Sequence, residues 1–176
     1  MAVDGELFRV SGYAPDEAGL NWRELPPFVR VLLSTDGTVT KTLEAYFWEP
    51  VVVKLRFQGA EPNSTVGAAF GEVLSEAESV WLREVELVGE HSGQHYVGAS
   101  SLIRPALLPA ALRQGLERGD FGIGGVIREL GLETYRKVVS VGCDKDTATA
   151  WRVYRLHYQG QVLMSIRENF HLQALT

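Results

Sequence analysis

The sequence predicts an α+β fold: a single antiparallel β-sheet with helices packed on one side. Alternating segments rich in β-branched residues recur along the chain, and several are joined by turns too short to hold a crossover helix. Helical periodicity falls instead into two blocks, at residues 26–50 and 107–130. Hairpin-linked strands with helices inserted in blocks are typical of α+β proteins.

Length and composition indicate one domain, residues 1–176, with an ordinary globular core. Hydrophobic residues make up 45% of the chain and charged residues 22%. The net charge of -5 gives no electrostatic reason to expect nucleic acid or an anionic membrane as a partner. A single cysteine, Cys143, excludes an internal disulfide and favours a reducing cytoplasm. No stretch is long and apolar enough to span a bilayer. For the oligomeric state we expect a monomer or homodimer.

The first helical block follows a loosely structured lead-in, residues 1–24. Pro26 or Pro27 suits a first helical turn, and the apolar periodicity then continues to Ser34. The segment 35–38, with Asp-Gly at its centre, has the chemistry of a turn. A second helix is predicted from Thr38 or Thr40, either of which could cap it, to a stop at Pro50.

The rest of the chain is predicted to be mostly strand. The predicted strands are residues 51–57, 80–88, 95–103, 133–141, 149–159 and 162–170. Between them we predict helices at 107–117 and 126–130, and a loop with a weak strand at 59–79. The short turns at 91–93 and 159–161 predict two hairpins.

One strand carries an arginine on its apolar face. In the segment 80–87, Arg83 alternates with Trp81, Val85 and Leu87, so these four side chains share a face. An arginine keeps its proton when buried, so it requires a carboxylate or another acceptor nearby. This pattern predicts either a structural ion pair or a guanidinium that binds an acidic ligand.

The last strand carries a carboxylate in the same unusual position. Alternation from Val162 places Met164, Ile166, Glu168 and Phe170 on one face, which is apolar except for Glu168. Burial penalises an ionised carboxylate unless a cation is adjacent. Two interpretations remain open: Arg83 and Glu168 pair with each other, or they flank a cavity in which Arg83 binds a carboxylate and Glu168 handles a proton or a hydroxyl.

Other candidate features are weaker. The glycine-rich segment 119–125 lacks the spacing of a dinucleotide fingerprint, and it is either a loop that lets backbone approach a ligand or a flexible connector. The four histidines show no metal-ligand spacing, and no metal is predicted. Cys143 lacks the context of a nucleophile. Tyr154 and Tyr158 share a face of their strand with Arg152 and Leu156, and packing accounts for them.

Several segments together resemble a known enzyme family. These are Leu32–Glu44 (LLSTDGTVTKTLE), Trp81–Val85 (WLREV), Ile123–Gly124 before a short helix, Arg136 in the next strand, and the hairpin from Gly160 to Glu168. In this order and spacing they resemble the chorismate pyruvate-lyases, or 4-hydroxybenzoate synthases, in particular a divergent bacterial branch whose chains end in I-x-E-x-F. The resemblance extends from about Leu32 to Phe170.

The resemblance implies a fold, an activity and a set of site residues. The family has an antiparallel sheet with helices to one side and a small buried site without metal or organic cofactor, where pyruvate is removed from chorismate to leave 4-hydroxybenzoate. Matched by motif, Arg83 would bind the ring carboxylate, with backbone help from the Ile123–Gly124 element. Glu168 would lie at the hydroxyl end of the ring, and Val39 would contribute a backbone contact there.

The sequence departs from the family pattern at the pocket. Ile123 replaces a leucine of the family pattern, and Val39 replaces a methionine. The run Gly98–Leu102 (GASSL) replaces a Gly-Arg-Thr run of the better-known branch, so that arginine is missing. Three functions follow as alternatives: a chorismate lyase, a related enzyme acting on another cyclic or polyketide-like acid, and a non-catalytic binder of an aromatic acid.

Overall fold

The fold is built on one β-sheet. The computed structural model describes residues 16–18, 20–62, 66–75, 77–118 and 122–176. Within these residues the strands are β1 (Asp16–Ala18), β2 (Val51–Glu61), β3 (Val80–Gly89), β4 (His95–Ile103), β5 (Tyr135–Asp144), β6 (Thr149–Tyr158) and β7 (Gln161–His171). Their order across the sheet is β1-β5-β6-β7-β4-β3-β2. The short β1 pairs in parallel with β5, and the strands from β5 to β2 pair antiparallel.

The four longer helices cover one face of this sheet. The helices are α1 (Pro27–Ser34), α2 (Val39–Phe47), α3 (Gly67–Phe70), α4 (Ala110–Glu117) and α5 (Ile123–Glu129), with 3₁₀ turns at Pro105–Leu107 and Leu172–Ala174. Buried residues of α1, α2, α4 and α5 form one core with the sheet. The single turn α3 lies at one end of the other face, where Phe70 packs with Val66 and Val80. The predicted α+β class, with an antiparallel sheet and helices on one side, is confirmed.

Local chemistry explains where the first two helices begin. Pro26 precedes α1 and Pro27 occupies its first turn, where a missing N–H costs nothing. The turn before α2 is closed by Thr35, whose hydroxyl accepts a hydrogen bond from the Gly37 amide at 3.0 Å. Thr38 then precedes the first residue of α2. The proline at the helix start, the turn at 35–38 and the start of the second helix after Thr38 are as predicted, but the Thr38 side chain makes no capping hydrogen bond.

The predicted hairpin between the last two strands is confirmed. β6 ends at Tyr158 and β7 begins at Gln161, so only Gln159 and Gly160 form the loop. Both have positive φ, 50° and 80°, as a type I′ turn requires.

A β-bulge next to this turn changes which side chains share a face. His157 pairs with Val162, but Leu156 pairs with Met164, so Leu163 is an extra residue in β7. The prediction that Val162 shares the face of Met164 is therefore wrong. Val162 packs beside the α3 cluster on the opposite face, and Leu163, 1% exposed, joins the main core. Beyond the bulge the alternation is as predicted.

Other predicted boundaries differ from the structure. The lead-in was predicted to be loose, yet residues 16–18 form β1 and Trp22 is 4% exposed; residues 1–15 and 19 lie outside the described part. The segment predicted as a loop with a weak strand instead extends β2 to Glu61 and forms α3; residues 63–65 and 76 lie outside the described part. The helix predicted from residue 126 begins three residues earlier, at Ile123. Within the described residues, no helix is long and apolar enough to cross a membrane.

Candidate active site

A cavity of about 530 Å³ lies between the helical layer and the sheet. Its floor is formed by β3, β4, β6 and β7, and its rim by the start of α2, the start of β2 and helix α5. Its volume falls within the range typical of small-molecule sites. Its apolar wall includes Val51, Val53, Val85, Leu87 and Ile166. The cavity therefore suits a small ligand with apolar faces and a few polar groups.

Arg83 forms the polar group at the β3 side of the cavity. Its side chain is 1% exposed, and burial lowers the pKa of its guanidinium below the ordinary value. Nη1 donates to Oε1 of Gln58 on β2 and, over 3.2 Å, to the carbonyl oxygen of Leu116 near the end of α4. These contacts fix the orientation of the guanidinium toward a cavity that it also lines.

Glu168 forms the polar group on β7, and Arg152 on β6 is its ion-pair partner. Nε of Arg152 donates to Oε2 of Glu168 over 2.7 Å. The hydroxyl of Tyr154 approaches the other carboxylate oxygen at 3.4 Å. Glu168 and Arg152 are 7% and 1% exposed, so this is a buried charged pair.

Burial makes the phenol of Tyr154 a weaker acid than an exposed tyrosine. Desolvation, followed by the negative charge of Glu168, raises the pKa of the Tyr154 phenol above its ordinary value, while Arg152 and Arg136 act in the opposite direction. The phenol therefore stays protonated at physiological pH and can donate a hydrogen bond to Glu168.

In the structure Arg83 and Glu168 do not pair with each other, and they flank a cavity. Glu168 pairs with Arg152, not with Arg83, and both Arg83 and Glu168 line the same cavity. They occupy strands separated by β4, so their backbones lie about 10 Å apart across the sheet. Ser101, paired with both Arg83 and Ile166, occupies the strand between them.

The other site residues implied by the resemblance lie on the opposite wall. Val39 is the first residue of α2, and Ile123 and Gly124 begin α5; all three line the cavity. A Cβ on Gly124 would lie 3.2 Å from Cγ2 of Thr38, which is closer than most side-chain contacts. Glycine at this position therefore lets the start of α5 pack closely on the start of α2.

Three more cations line the rim of the cavity. Lys41 is paired with Glu44, from Nζ to Oε2 at 2.7 Å. Arg128 is exposed and donates from Nη2 to the Thr38 hydroxyl at 3.1 Å. Arg136 is half-buried and donates from Nη1 to the Asp36 carbonyl oxygen at 3.1 Å.

The structure brings together every site residue named from the sequence, and it adds side chains from β6 to the site. Arg83, Glu168, Val39, Ile123 and Gly124 all line one cavity. Arg152 and Tyr154 were assigned to packing, yet they contact the carboxylate of Glu168. Ala99, in the run that replaces the Gly-Arg-Thr of the better-known branch, also lines the cavity and pairs with Glu168 from β4. The cation beside Glu168 thus comes from β6.

The weaker candidates lie elsewhere. No histidine and no cysteine lines this cavity among the residues that the structure describes. Over the same described ranges, no group of three or more histidine, cysteine, aspartate or glutamate side chains is placed to hold a metal ion. Gly122, Gly124 and Gly125 of the glycine-rich segment line the cavity, which favours its interpretation as backbone close to a ligand. Gly119 lies outside the described residues.

Solved structures with the same architecture define the class of fold. PhnF from Mycobacterium smegmatis aligns with a TM-score of 0.57 and 13% identity, over 93% of this chain and 70% of that one. The effector domain of the same protein aligns with a TM-score of 0.55 and 14% identity, over 77% and 89%. The C-terminal domain of a histidine utilization repressor from Pseudomonas syringae gives a TM-score of 0.50 and 11% identity, over 70% and 93%. At these identities the likeness concerns the fold alone.

Sequence comparison defines the family. The model of the family described as "Chorismate pyruvate-lyase Rv2949c-like" matches residues 33–176. The chain therefore belongs to the Rv2949c-like chorismate pyruvate-lyase family. A chorismate pyruvate-lyase from Mycobacterium tuberculosis is 27% identical over 165 residues, covering 84% of this chain and 81% of that protein. One from Mycobacterium leprae is 29% identical over 124 residues, covering 68% of this chain but only 56% of that protein.

Proposed function

We propose that this protein is a chorismate pyruvate-lyase that releases pyruvate and 4-hydroxybenzoate, without a metal or organic cofactor. The observation that carries the proposal is the arrangement of Arg83 and Glu168 on one floor of an apolar cavity, in a chain of this family. A flat ring with a carboxylate at one end and a hydroxyl at the other matches that arrangement.

The reaction itself requires little of the protein. The C–O bond between the ring and the enolpyruvyl group breaks, and the neighbouring ring carbon, which bears the hydroxyl, loses a proton. The electron pair of that C–H bond completes the aromatic ring. The departing enolpyruvate takes up a proton at its methylene carbon and becomes pyruvate. Because aromatisation drives the elimination, orientation and one assisted proton transfer account for the main contribution of a site.

Arg83 and Glu168 are the residues to which we assign the two ends of the ring. The planar guanidinium of Arg83 suits a carboxylate, and its position under α4 keeps water away from that contact. Glu168 would accept the hydroxyl hydrogen bond and lie beside the carbon that loses its proton. Arg152 orients the Glu168 carboxylate through the hydrogen bond from its Nε to Oε2.

The opposite wall would position the ring by contacts from the backbone. Val39 and Ile123 stand at the first positions of α2 and α5, whose N–H groups have no partner within their helix. Gly124 permits close approach of the backbone. Val85 and Ile166 lie beneath the ring in this arrangement and exclude water from the reacting carbons.

The test is an assay of purified protein with chorismate, in which pyruvate and the hydroxybenzoate isomers are separated by chromatography. We expect equal amounts of pyruvate and 4-hydroxybenzoate, above the uncatalysed background. Glu168→Gln should lose turnover yet still bind 4-hydroxybenzoate. Glu84→Gln is the matched control, because Glu84 is exposed on the other face of the sheet. A parent protein without pyruvate release would contradict the proposal.

A second candidate, a non-catalytic binder of aromatic acids, is favoured by one observation. Both carboxylate oxygens of Glu168 already have partners, Arg152 and Tyr154, which leaves fewer free lone pairs to receive a proton from a substrate. Tight binding of 4-hydroxybenzoate by a parent protein that leaves chorismate intact would support this candidate. If neither compound binds, a thermal-shift screen of other cyclic and polyketide-like acids tests for a relative with a different substrate.

A further inference from the structure

The proposed reaction assigns no function to two arginines at the rim of the cavity. Arg136 lies on β5, on the face of the sheet that carries Tyr154, and Arg128 lies in the last turn of α5. Both line the cavity. Their hydrogen bonds go to neutral oxygens: Arg136 donates to the Asp36 carbonyl and also approaches the Tyr154 phenol, and Arg128 donates to the Thr38 hydroxyl.

The charges of these two arginines are not balanced by an ion pair within the described residues. Lys41, on the same rim, is neutralised by Glu44, and Arg152, at the floor, by Glu168. No described carboxylate lies within ion-pair distance of Arg128 or Arg136, although Glu44, whose pKa is lowered first by Lys41, is close enough for the charge of Arg128 to help lower it. A positive region thus borders the cavity where α2, α5 and β5 meet.

The positive region and Arg83 lie on opposite sides of Glu168. Arg83 lies on β3 and Arg136 on β5, while Glu168 lies on β7, which is midway between those strands in the sheet. A ligand that reaches from Arg83 to Arg136 therefore passes over Glu168. The two arginines stand at opposite ends of the cavity, and the carboxylate of Glu168 lies between them.

We propose that Arg136, assisted by Arg128, binds a second carboxylate of the ligand, so that the cavity selects ring compounds with two carboxylates over those with one. The inference rests on the proposed function, in which the second carboxylate belongs to the enolpyruvyl side chain. Arginine is suited to this role because its guanidinium forms directed, charge-assisted hydrogen bonds with carboxylates. Holding both carboxylates fixes the side chain beside the carbon that loses its proton.

This assignment explains how substrate and product differ in binding. The substrate is held at both ends, by Arg83 and by Arg136. After the C–O bond breaks, the ring product keeps only the carboxylate at Arg83, and pyruvate keeps only the one at the rim. Because Arg128 is exposed and Arg136 is half-buried, pyruvate lies nearest the solvent and leaves first.

The test compares a monoacid with a diacid by calorimetry. The monoacid is 4-hydroxybenzoate, and the diacid is 3-(carboxymethoxy)benzoate, which keeps an ether-linked second carboxylate but cannot eliminate. In Arg136→Gln the Kd of the diacid should rise about ten- to hundred-fold, as for loss of a charge-assisted hydrogen bond, while the Kd of the monoacid changes by less than about threefold. Arg136→Lys should give a smaller loss, and Arg128→Gln a loss of the same kind.

Controls separate this inference from the proposed function. Arg113, exposed on α4 and outside the cavity lining, is the matched position, and Arg113→Gln should bind both acids like the parent. Equal weakening of both acids in Arg136→Gln would assign Arg136 a structural role and overturn the inference, as would unchanged binding of the diacid. A parent without chorismate turnover that still prefers the diacid would contradict the proposed function but support the second carboxylate site.

Discussion

Arg152 on β6 donates from Nε to Oε2 of Glu168 on β7 over 2.7 Å, and the same guanidinium donates from Nη1 to the carbonyl of Thr35. It also lies over the rings of Tyr154 and Phe170, 5.1 and 5.9 Å from their centroids. Arg152 thus connects the carboxylate on the cavity floor to the turn that leads into α2. One side chain thus contributes both to the orientation of Glu168 and to the position of the opposite wall.

Arg152→Gln should lower both stability and activity. Removing one partner of a buried ion pair leaves the other charge uncompensated, which costs about 3–5 kcal/mol of unfolding free energy, measured by urea denaturation. Under the proposed function, turnover should also fall, because Glu168 loses the hydrogen bond that orients its carboxylate. Arg152→Lys keeps the charge and should retain more turnover than Arg152→Gln. Parent-like turnover in Arg152→Gln would show that this ion pair does not position Glu168 for the reaction.

Arg83→Gln should abolish binding of aromatic acids while the protein stays folded. The loss follows from removal of the buried guanidinium that we assign to the ring carboxylate, and the Kd of 4-hydroxybenzoate should rise about a hundred-fold or more in calorimetry. Arg113→Gln, on the exposed side of α4, again provides the control. Parent-like affinity in Arg83→Gln would make the proposed anchor wrong.

Glu49 should stabilise the protein at neutral pH and lose this contribution in acid. Its carboxylate accepts hydrogen bonds from the hydroxyls of Tyr96 and Ser92 and from the amides of His91 and Ser92, which lower its pKa from 4.5 to about 2. A pKa that is lower in the folded state stabilises the fold above pH 4.5, and this contribution is lost as the pH falls from 4.5 toward 2. Glu49→Gln should therefore melt below the parent at neutral pH. The difference in Tm should shrink through that acidic window, and a constant difference would contradict the assignment.

Replacing two glycines in adjacent helices with alanine should change the free energy of unfolding in opposite directions. A Cβ on Gly115 of α4 would lie 2.6 Å from Cγ1 of Val126, so Gly115→Ala forces α5 away and should cost about 1–3 kcal/mol. A Cβ on Gly125 of α5 would meet no atom within 4 Å, so Gly125→Ala should stabilise by about 0.5–1 kcal/mol through helix propensity. Urea denaturation of both variants tests the pair. Equal effects would mean that α4 and α5 do not pack at Gly115.

Strand alternation was sufficient to identify the two central charges. Arg83 and Glu168 each interrupt an apolar stripe, and that local pattern survives in the structure because each lies in an unbroken stretch of strand. The two-residue loop at Gln159 and Gly160 could likewise be predicted, since glycine and a short connection favour a hairpin.

The partner of Glu168 could not be predicted, because it depends on a bulge. Counting back from the two-residue turn without a bulge places Arg152 opposite Arg167, with its side chain on the face away from Glu168. The extra residue, Leu163, shifts the register by one and brings Arg152 opposite Glu168. Leu163 sits between Val162 and Met164, so this apolar run carries no local signal of a bulge.

The parallel pairing of β1 with β5 has a consequence for how the chain becomes ordered. Asp16 pairs with Ser140, so a segment near the start of the chain contacts a segment that is synthesised more than 100 residues later. Contacts between such distant positions pay a large loop-closure entropy, and they form late in folding. During synthesis, the polar backbone edge of β5 therefore remains exposed until β1 returns to it. Exposed edges of this kind favour association between chains, so β1 protects the sheet by covering the edge of β5.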